Sequence, residues 1–169
     1  MSSLAEALAL LISHSAAVSE DGTALARTLC GRDEKVIYSC PFNAKIGSVC
    51  AAENKIIFRY GTSRSLEAEV TSSGSDGRAY GNYIVGGGGG YQTSIRFHDG
   101  HRDYVVFSAV YGELTEIAGE QKSGVSIFEW GNLATSLQCK LEGCRQQINR
   151  NTVDALAPDP EEDAFGGWQ

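Results

Sequence analysis

Polar and apolar positions in this chain alternate with a period of two over most of its length. Tyr91, Thr93, Ile95 and Phe97 interleave with Gln92, Ser94, Arg96 and His98, the pattern of a strand with one buried face. Asp99-Gly100 follows as a hairpin signal, because that dipeptide tolerates the positive φ of a primed turn. The return segment, Tyr104–Tyr111, is apolar on both faces, as expected in the middle of a sheet.

The same pattern predicts strands on either side. Val36–Cys40 groups Val36, Tyr38 and Cys40, and Ile46–Cys50 groups Ile46, Ser48 and Cys50. Ile56–Tyr60 turns Ile56, Phe58 and Tyr60 inward. Leu66–Val70 carries Glu67 and Glu69 on its second face, which suits an edge strand. Tyr80–Val85 leads into five consecutive glycines, Gly86–Gly90. Val125–Trp130 and Leu133–Leu141 are joined by Gly131-Asn132, a signal for the second primed turn type. In the last of these strands Leu133, Thr135, Leu137, Cys139 and Leu141 share one face, with Ala134, Ser136, Gln138 and Lys140 on the other. The expected fold is all-β: an antiparallel barrel or sandwich of about eight to nine short strands. A short N-terminal helix and a mostly irregular C-terminal tail complete it. The inward set includes Phe58, Tyr60, Ile95, Phe97, Val105, Phe107, Ile127, Leu137 and Cys139.

Composition refines this only a little. The 169 residues suit one domain with tails, and 20 glycines against 3 prolines suit many turns. The net charge of −7 sits at the ends. Residues 1–29 carry Glu6, Glu20 and Asp21 against Arg27. Residues 149–169 carry Asp154, Asp159, Glu161, Glu162 and Asp163 against Arg150. The body is therefore close to neutral and lacks the clustered basic face of a nucleic-acid binder. The layout reads as an N-terminal helix or atypical signal segment over 1–29, a β-domain over 30–148 and an acidic tail over 149–169.

Near the N-terminus, Leu4, Leu8, Leu11 and Ile12 share a helical face, while Ser15-Ala16-Ala17 resembles a small-residue cleavage site. No Lys or Arg precedes the apolar run, so a signal peptide here is atypical. No stretch is long enough to cross a membrane as a helix.

Five cysteines without a C-x-x-C spacing read as a partial disulfide framework and an oxidising compartment, not a zinc site. Cys40 and Cys50 end candidate neighbouring strands and form one candidate pair. Cys139 and Cys144 could close a small loop around Gly143, which would leave Cys30 over.

Candidate chemistry is sparse. Gly86–Gly90 lacks the Gly-Lys-Ser/Thr opening a helix that a phosphate loop requires, and reads as a bend or a close backbone approach. His98, His101 and Asp103 flank a hairpin turn whose sides should splay them apart. Ser72, Ser73 and Ser75 lie outside any Gly-x-Ser-x-Gly elbow. Glu67/Glu69 and Glu161/Glu162 read as a solvated strand face and a tail rather than paired catalytic carboxylates. Phe165 and Trp168 could dock on the domain or engage a partner. No metal and no cofactor are expected.

Val36–Cys40, Ser48-Val49-Cys50, Phe58-Arg59-Tyr60-Gly61, Gly86–Phe97, Tyr104-Val105-Val106 and Leu137-Gln138-Cys139 together resemble a family of small uncharacterised proteobacterial β proteins that are usually exported. Asp159-Pro160-Glu161 and Phe165 fit that family's tail, whereas Cys144 is additional. The resemblance implies export but carries no activity. The stretch Ser72-Ser73-Gly74-Ser75-Asp76-Gly77-Arg78-Ala79-Tyr80 is similar to the inhibitory loop of periplasmic C-type lysozyme inhibitors, with residues inserted.

The expected function is that of a non-enzymatic, exported binding protein, an inhibitor or immunity-type protein acting on a cell-wall hydrolase or toxin. Ser72, Ser73, Gly74, Ser75, Asp76, Arg78 and Tyr80 form its contact loop. The alternatives are a structural or envelope-associated β module and an enzyme acting on cell-wall glycan. The partner is a protein, not nucleic acid. The expected location is periplasmic or secreted, with a cytosolic one kept as the alternative.

Overall fold

A computed structural model describes residues 28–140 and 148–161 of the chain. The expected N-terminal segment up to residue 27, Leu141, Cys144, Glu162, Phe165 and Trp168 lie outside the described residues. Two sheets make up the fold. The first is a meander of β1 (Lys35–Phe42), β2 (Lys45–Ala52), β3 (Lys55–Thr62) and β4 (Ser65–Ser72), in that spatial order. Each strand is eight residues long and each turn between them has two residues. The second sheet contains β5 (Ala79–Val85), β6 (Tyr91–Asp99), β7 (Arg102–Val110), β8 (Gln121–Glu129) and β9 (Asn132–Gln138). A short helix, α1 (Arg150–Asp154), and the two-residue β10 (Ala157–Pro158) follow, and β10 adds to the sheet as a parallel edge beside β5. The sheets do not join into a closed ring, so the barrel alternative falls away.

The sheets share one core. Phe58 of β3 lies against Phe97 and Tyr104 of the other sheet, with ring centroids 5.4 and 5.0 Å apart. Tyr38, Val49, Val70, Ile95, Val106 and Val125 are fully buried in the same cluster. Each such side chain contributes roughly 1.5–3 kcal/mol of transfer free energy.

Several expectations about facing are corrected. Val105 and Phe107 are buried, but with Phe128 on the opposite face of the second sheet; Tyr104 and Val106 face the shared core. The register explains this, since Phe97 opposes Tyr104 and Ile95 opposes Val106. A bulge in β9 makes Leu133 oppose Phe128 and Thr135 oppose Ile127, leaving Ala134 extra. One extra residue inverts the alternation, so Leu133 no longer shares the face of Thr135 and Leu137. A bulge at Ile37 does the same to Val36 relative to Tyr38 and Cys40.

The hairpin turns sit one residue from where they were expected. Asp99 pairs with Arg102, so the β6–β7 turn is Gly100-His101, with positive φ at Gly100 alone, the second primed pattern. Glu129 pairs with Asn132, so the β8–β9 turn is Trp130-Gly131, with φ of 52° and 76°, the first primed pattern.

The disulfides are Cys30–Cys50 and Cys40–Cys139, with Cα separations of 5.5 and 5.9 Å. This overturns Cys40–Cys50, Cys139–Cys144 and an unpaired Cys30. Cys40 opposes Gly47 in the ladder and belongs to the shared core, whereas Cys50 opposes Val36. Their side chains leave opposite faces of the sheet.

Candidate functional site

The expected contact loop is the crossover between the two sheets. Ser72 ends β4 and Ala79 begins β5, so every residue between them must bridge two layers. The Asp76 carboxylate organises the crossing. It accepts hydrogen bonds from Ser72 Oγ (2.6 Å), Ser73 N (3.1 Å) and Arg78 N (3.1 Å). Ser72 Oγ in turn accepts from Gly74 N at 2.9 Å. Gly74 and Gly77, at φ of 84° and 70°, supply the left-handed residues this path requires. Tyr80 Oη donates to the Gly77 carbonyl at 2.9 Å, closing the far end. The hydrogen bond from Ser72 holds the Asp76 carboxyl below its ordinary range, aided by the backbone N–H groups of Ser73 and Arg78. Ser73, Ser75, Asp76, Gly77 and Arg78 are exposed, while Ser72 is buried. The loop is thus a hydrogen-bonded projection with its polar side chains outward.

A groove of about 670 Å3 runs beside it. Ile37, Ala51, Ile56 and Leu156 supply its apolar surface, and Ser73 and Ser75 come from the loop itself. Leu156 belongs to the segment expected as an irregular acidic tail. That segment is structured over residues 148–161. Asn149 caps α1 by accepting from Thr152 N at 3.0 Å. Val153 is buried beside β5, where a Cβ on Gly81 would lie 2.3 Å from the Val153 carbonyl oxygen. Only glycine permits that approach.

The same segment ends in a charge network. Asp159 accepts from Arg96 Nε with both carboxylate oxygens, at 3.0 and 2.9 Å. Arg96 Nη1 reaches Asp103 at 3.3 Å and Glu161 at 3.5 Å. Asp103 also meets His98 Nδ1 at 2.7 Å, because the two residues are register partners. The expectation that the hairpin splays its His and Asp groups therefore fails for His98 and Asp103. It holds for His101, which instead stacks on Trp130. Asp159 and Glu161 look like solvated tail carboxylates in sequence; the signal that could have located them is the otherwise unpartnered Arg96 inside an alternating strand.

The remaining candidates are structural. Glu67 pairs with Lys45 at 2.8 Å and Glu69 with Arg59 at 2.7 Å. Arg59 also chelates Glu34 and donates to the Leu29 carbonyl, clipping the segment before β1 onto the sheet. Cys30, Glu34 and Cys50 bring potential metal-ligating atoms together, but the two sulfurs are bonded to each other and offer no thiolate. Gly88 and Gly90 lie against the backbone at residues 112–114, and the Gly88 carbonyl accepts from Glu113 N at 2.8 Å. The glycine run is therefore the close backbone approach that its lack of a phosphate-loop pattern implies. Ser72 contacts a carboxylate, yet among the described residues no hydrogen bond links Ser72, Ser73 or Ser75 to a histidine.

No family model, curated protein or solved structure matches the chain. The fold and site define a disulfide-stapled, two-sheet β-domain that projects an ordered polar loop beside a groove of mixed polar and apolar lining.

Proposed function

We propose that the protein acts by binding rather than turnover, in an oxidising exported compartment, as an inhibitor or immunity-type protein directed at a cell-wall hydrolase or toxin. The contact element is the loop Ser72–Tyr80. The single observation that carries this reading is the Asp76 carboxylate, which accepts three hydrogen bonds from within the loop. A loop already held in one shape loses less conformational freedom on association, which favours affinity. Ser73, Ser75 and Arg78 stay outward for a partner, and Ser73 and Ser75 also line the adjoining groove. The two disulfides support the compartment.

The test is a lysozyme-activity assay with and without the purified protein, using C-type, G-type and I-type enzymes. Inhibition that is lost in a Ser73→Ala/Arg78→Ala variant of unchanged thermal stability is the expected result. No inhibition of any of the three enzymes removes the lysozyme-directed version. Inhibition that survives the double substitution removes the loop.

A further inference from the structure

The second sheet hides apolar side chains on the face that the first sheet does not cover. Val105, Phe107 and Phe128 point away from the shared core and form a cluster of their own. The ladder sets them side by side: Val105 lies between Arg96 and Ser126, and Phe128 opposes Asp103. The Phe107 ring lies over Gly124, where a Cβ would come within 2.9 Å of it. The free face of an antiparallel sheet is ordinarily polar and solvated. Here Val105 is 0% exposed and Phe128 6%, and Ser94, Arg96 and Ser126 around them are buried as well. Asp159 and Glu161 cover Arg96. Among the described elements, α1 packs on β5 and β6, β10 on β5 and β4 on β6, and none packs comparably on the outer side of β7 or β8.

The chain arrives at this face at Glu161. Its carboxylate lies 3.5 Å from Arg96 Nη1, and its carbonyl accepts from Arg96 Nη2 at 3.5 Å. The Arg96 guanidinium in turn lies over the Phe128 ring, 5.6 Å from its centroid. Residues 162–169 follow with two aromatic side chains, Phe165 and Trp168, separated by Gly166-Gly167.

We propose that residues 162–169 dock on this outer face and cover Val105, Phe107 and Phe128 with the rings of Phe165 and Trp168. The reach is sufficient. Phe165 is four residues past Glu161, a span of up to about 14 Å when extended. From β6 to β8 is two strand spacings, about 9.6 Å. Gly166-Gly167 gives the chain the freedom to bring Trp168 back to the same face. Aromatic rings remove large apolar areas from water, which matches a cluster of one valine and two phenylalanines. The other two segments outside the described residues join it elsewhere. Residues 1–27 lead into Thr28 and Leu29, and Leu29 bonds to Ser48 and Arg59 of the first sheet. Residues 141–147 lead into Ile148, which is buried in the shared core and bonded to Thr93 and Ser108. This surface uses none of residues 72–80 and stands or falls separately from that loop.

The experiment is NMR on the full chain with methyl-labelled valine. Nuclear Overhauser contacts from the Val105 methyl groups to the ring protons of Phe165 or Trp168 are expected. Phe165→Ala/Trp168→Ala should abolish them and move the resonances of residues 103–107 and 124–128, while those of Phe58 and Ile95 stay in place. The same variant should raise the fluorescence of an added anilinonaphthalene dye about twofold or more, because the apolar face is then open to it. Absence of any contact between Val105 and either ring overturns the proposal, and this holds even if the double variant fails to fold. So does a folded double variant whose resonances at residues 103–107 and 124–128 are unchanged. A mixture of labelled and unlabelled protein separates the remaining case: contacts found only between copies assign the face to a second copy of the chain and equally overturn it.

Discussion

Arg96 and Asp159 lie 63 positions apart and form a two-oxygen ion pair with side chains only 3% and 4% exposed. The pair ties the C-terminal segment to a central strand of the second sheet. Burying two charges costs several kcal/mol of lost hydration, and only the paired geometry and the further contacts to Asp103 and Glu161 offset it. Asp159→Asn should therefore destabilise the protein by up to about 3–5 kcal/mol, because the buried guanidinium loses its two-oxygen partner and keeps only the longer contacts to Asp103 and Glu161. Arg96→Met/Asp159→Leu should cost much less than either single change. Urea denaturation of Asp159→Asn, Arg96→Met, Asp159→Leu and the double variant checks this, and a double variant as unstable as the singles would contradict it.

The two disulfides should differ in weight. Cys40–Cys139 closes a separation of 99 residues and Cys30–Cys50 one of 20. On the chain-entropy account, loss of the first costs about 4–5 kcal/mol and loss of the second about 3 kcal/mol. Denaturation midpoints of Cys40→Ala/Cys139→Ala and Cys30→Ala/Cys50→Ala should fall in that order.

Gly81→Ala should loosen α1 without dissolving the sheets. The added methyl would sit 2.3 Å from the Val153 carbonyl oxygen, so the helix must move. A cost of about 1–3 kcal/mol is expected for such overpacking. Hydrogen exchange should show lost protection over residues 150–158 while β6 and β7 keep theirs; unchanged protection in α1 would refute the account.

Acid should weaken the clip before β1. The Arg59 side-chain hydrogen bond holds the Glu34 carboxyl below its ordinary value of 4.5, outweighing the opposing effect of burial. A carboxyl lowered in the folded state adds stability above its unfolded value, and that stability is lost as pH falls through the folded one. Stability should therefore decline from about pH 4.5 downward, and Glu34→Gln should flatten that part of the curve. Paired urea titrations at stepped pH give the comparison.

The proposed contact loop is legible in the sequence as a loop but not as an ordered one. Ser72, Gly74, Asp76 and Gly77 are turn formers by type, yet a sequence of small polar residues reads equally well as a slack linker. What orders it is Asp76 placed to receive Ser72 Oγ and two N–H groups at once, a geometry set by the two strand ends it joins. Trp130 looks in sequence like the last residue of a strand, because Gly131-Asn132 signals a turn one residue later than the Trp130-Gly131 turn that forms.

Sequence alone determined the elements, because their causes are local. Strand-forming runs mark all nine longer strands, by alternation in most and by apolar positions on both faces in β7, and Gly100, Gly131 and the glycine run mark chain reversals, since period-2 burial and positive φ are properties of neighbouring residues. Tertiary structure decided which faces and partners those elements use. β7 is apolar on both sides, so only its register against Ile95 and Phe97 could turn Tyr104 and Val106, rather than Val105 and Phe107, toward the shared core. Single extra residues at Ile37 and Ala134 reversed the facing of Val36 and Leu133. The pairing of Cys40 with Cys139 and of Arg96 with Asp159 joins residues far apart in the chain. Their meeting depends on how two sheets and a returning segment stack, and no local pattern encodes that.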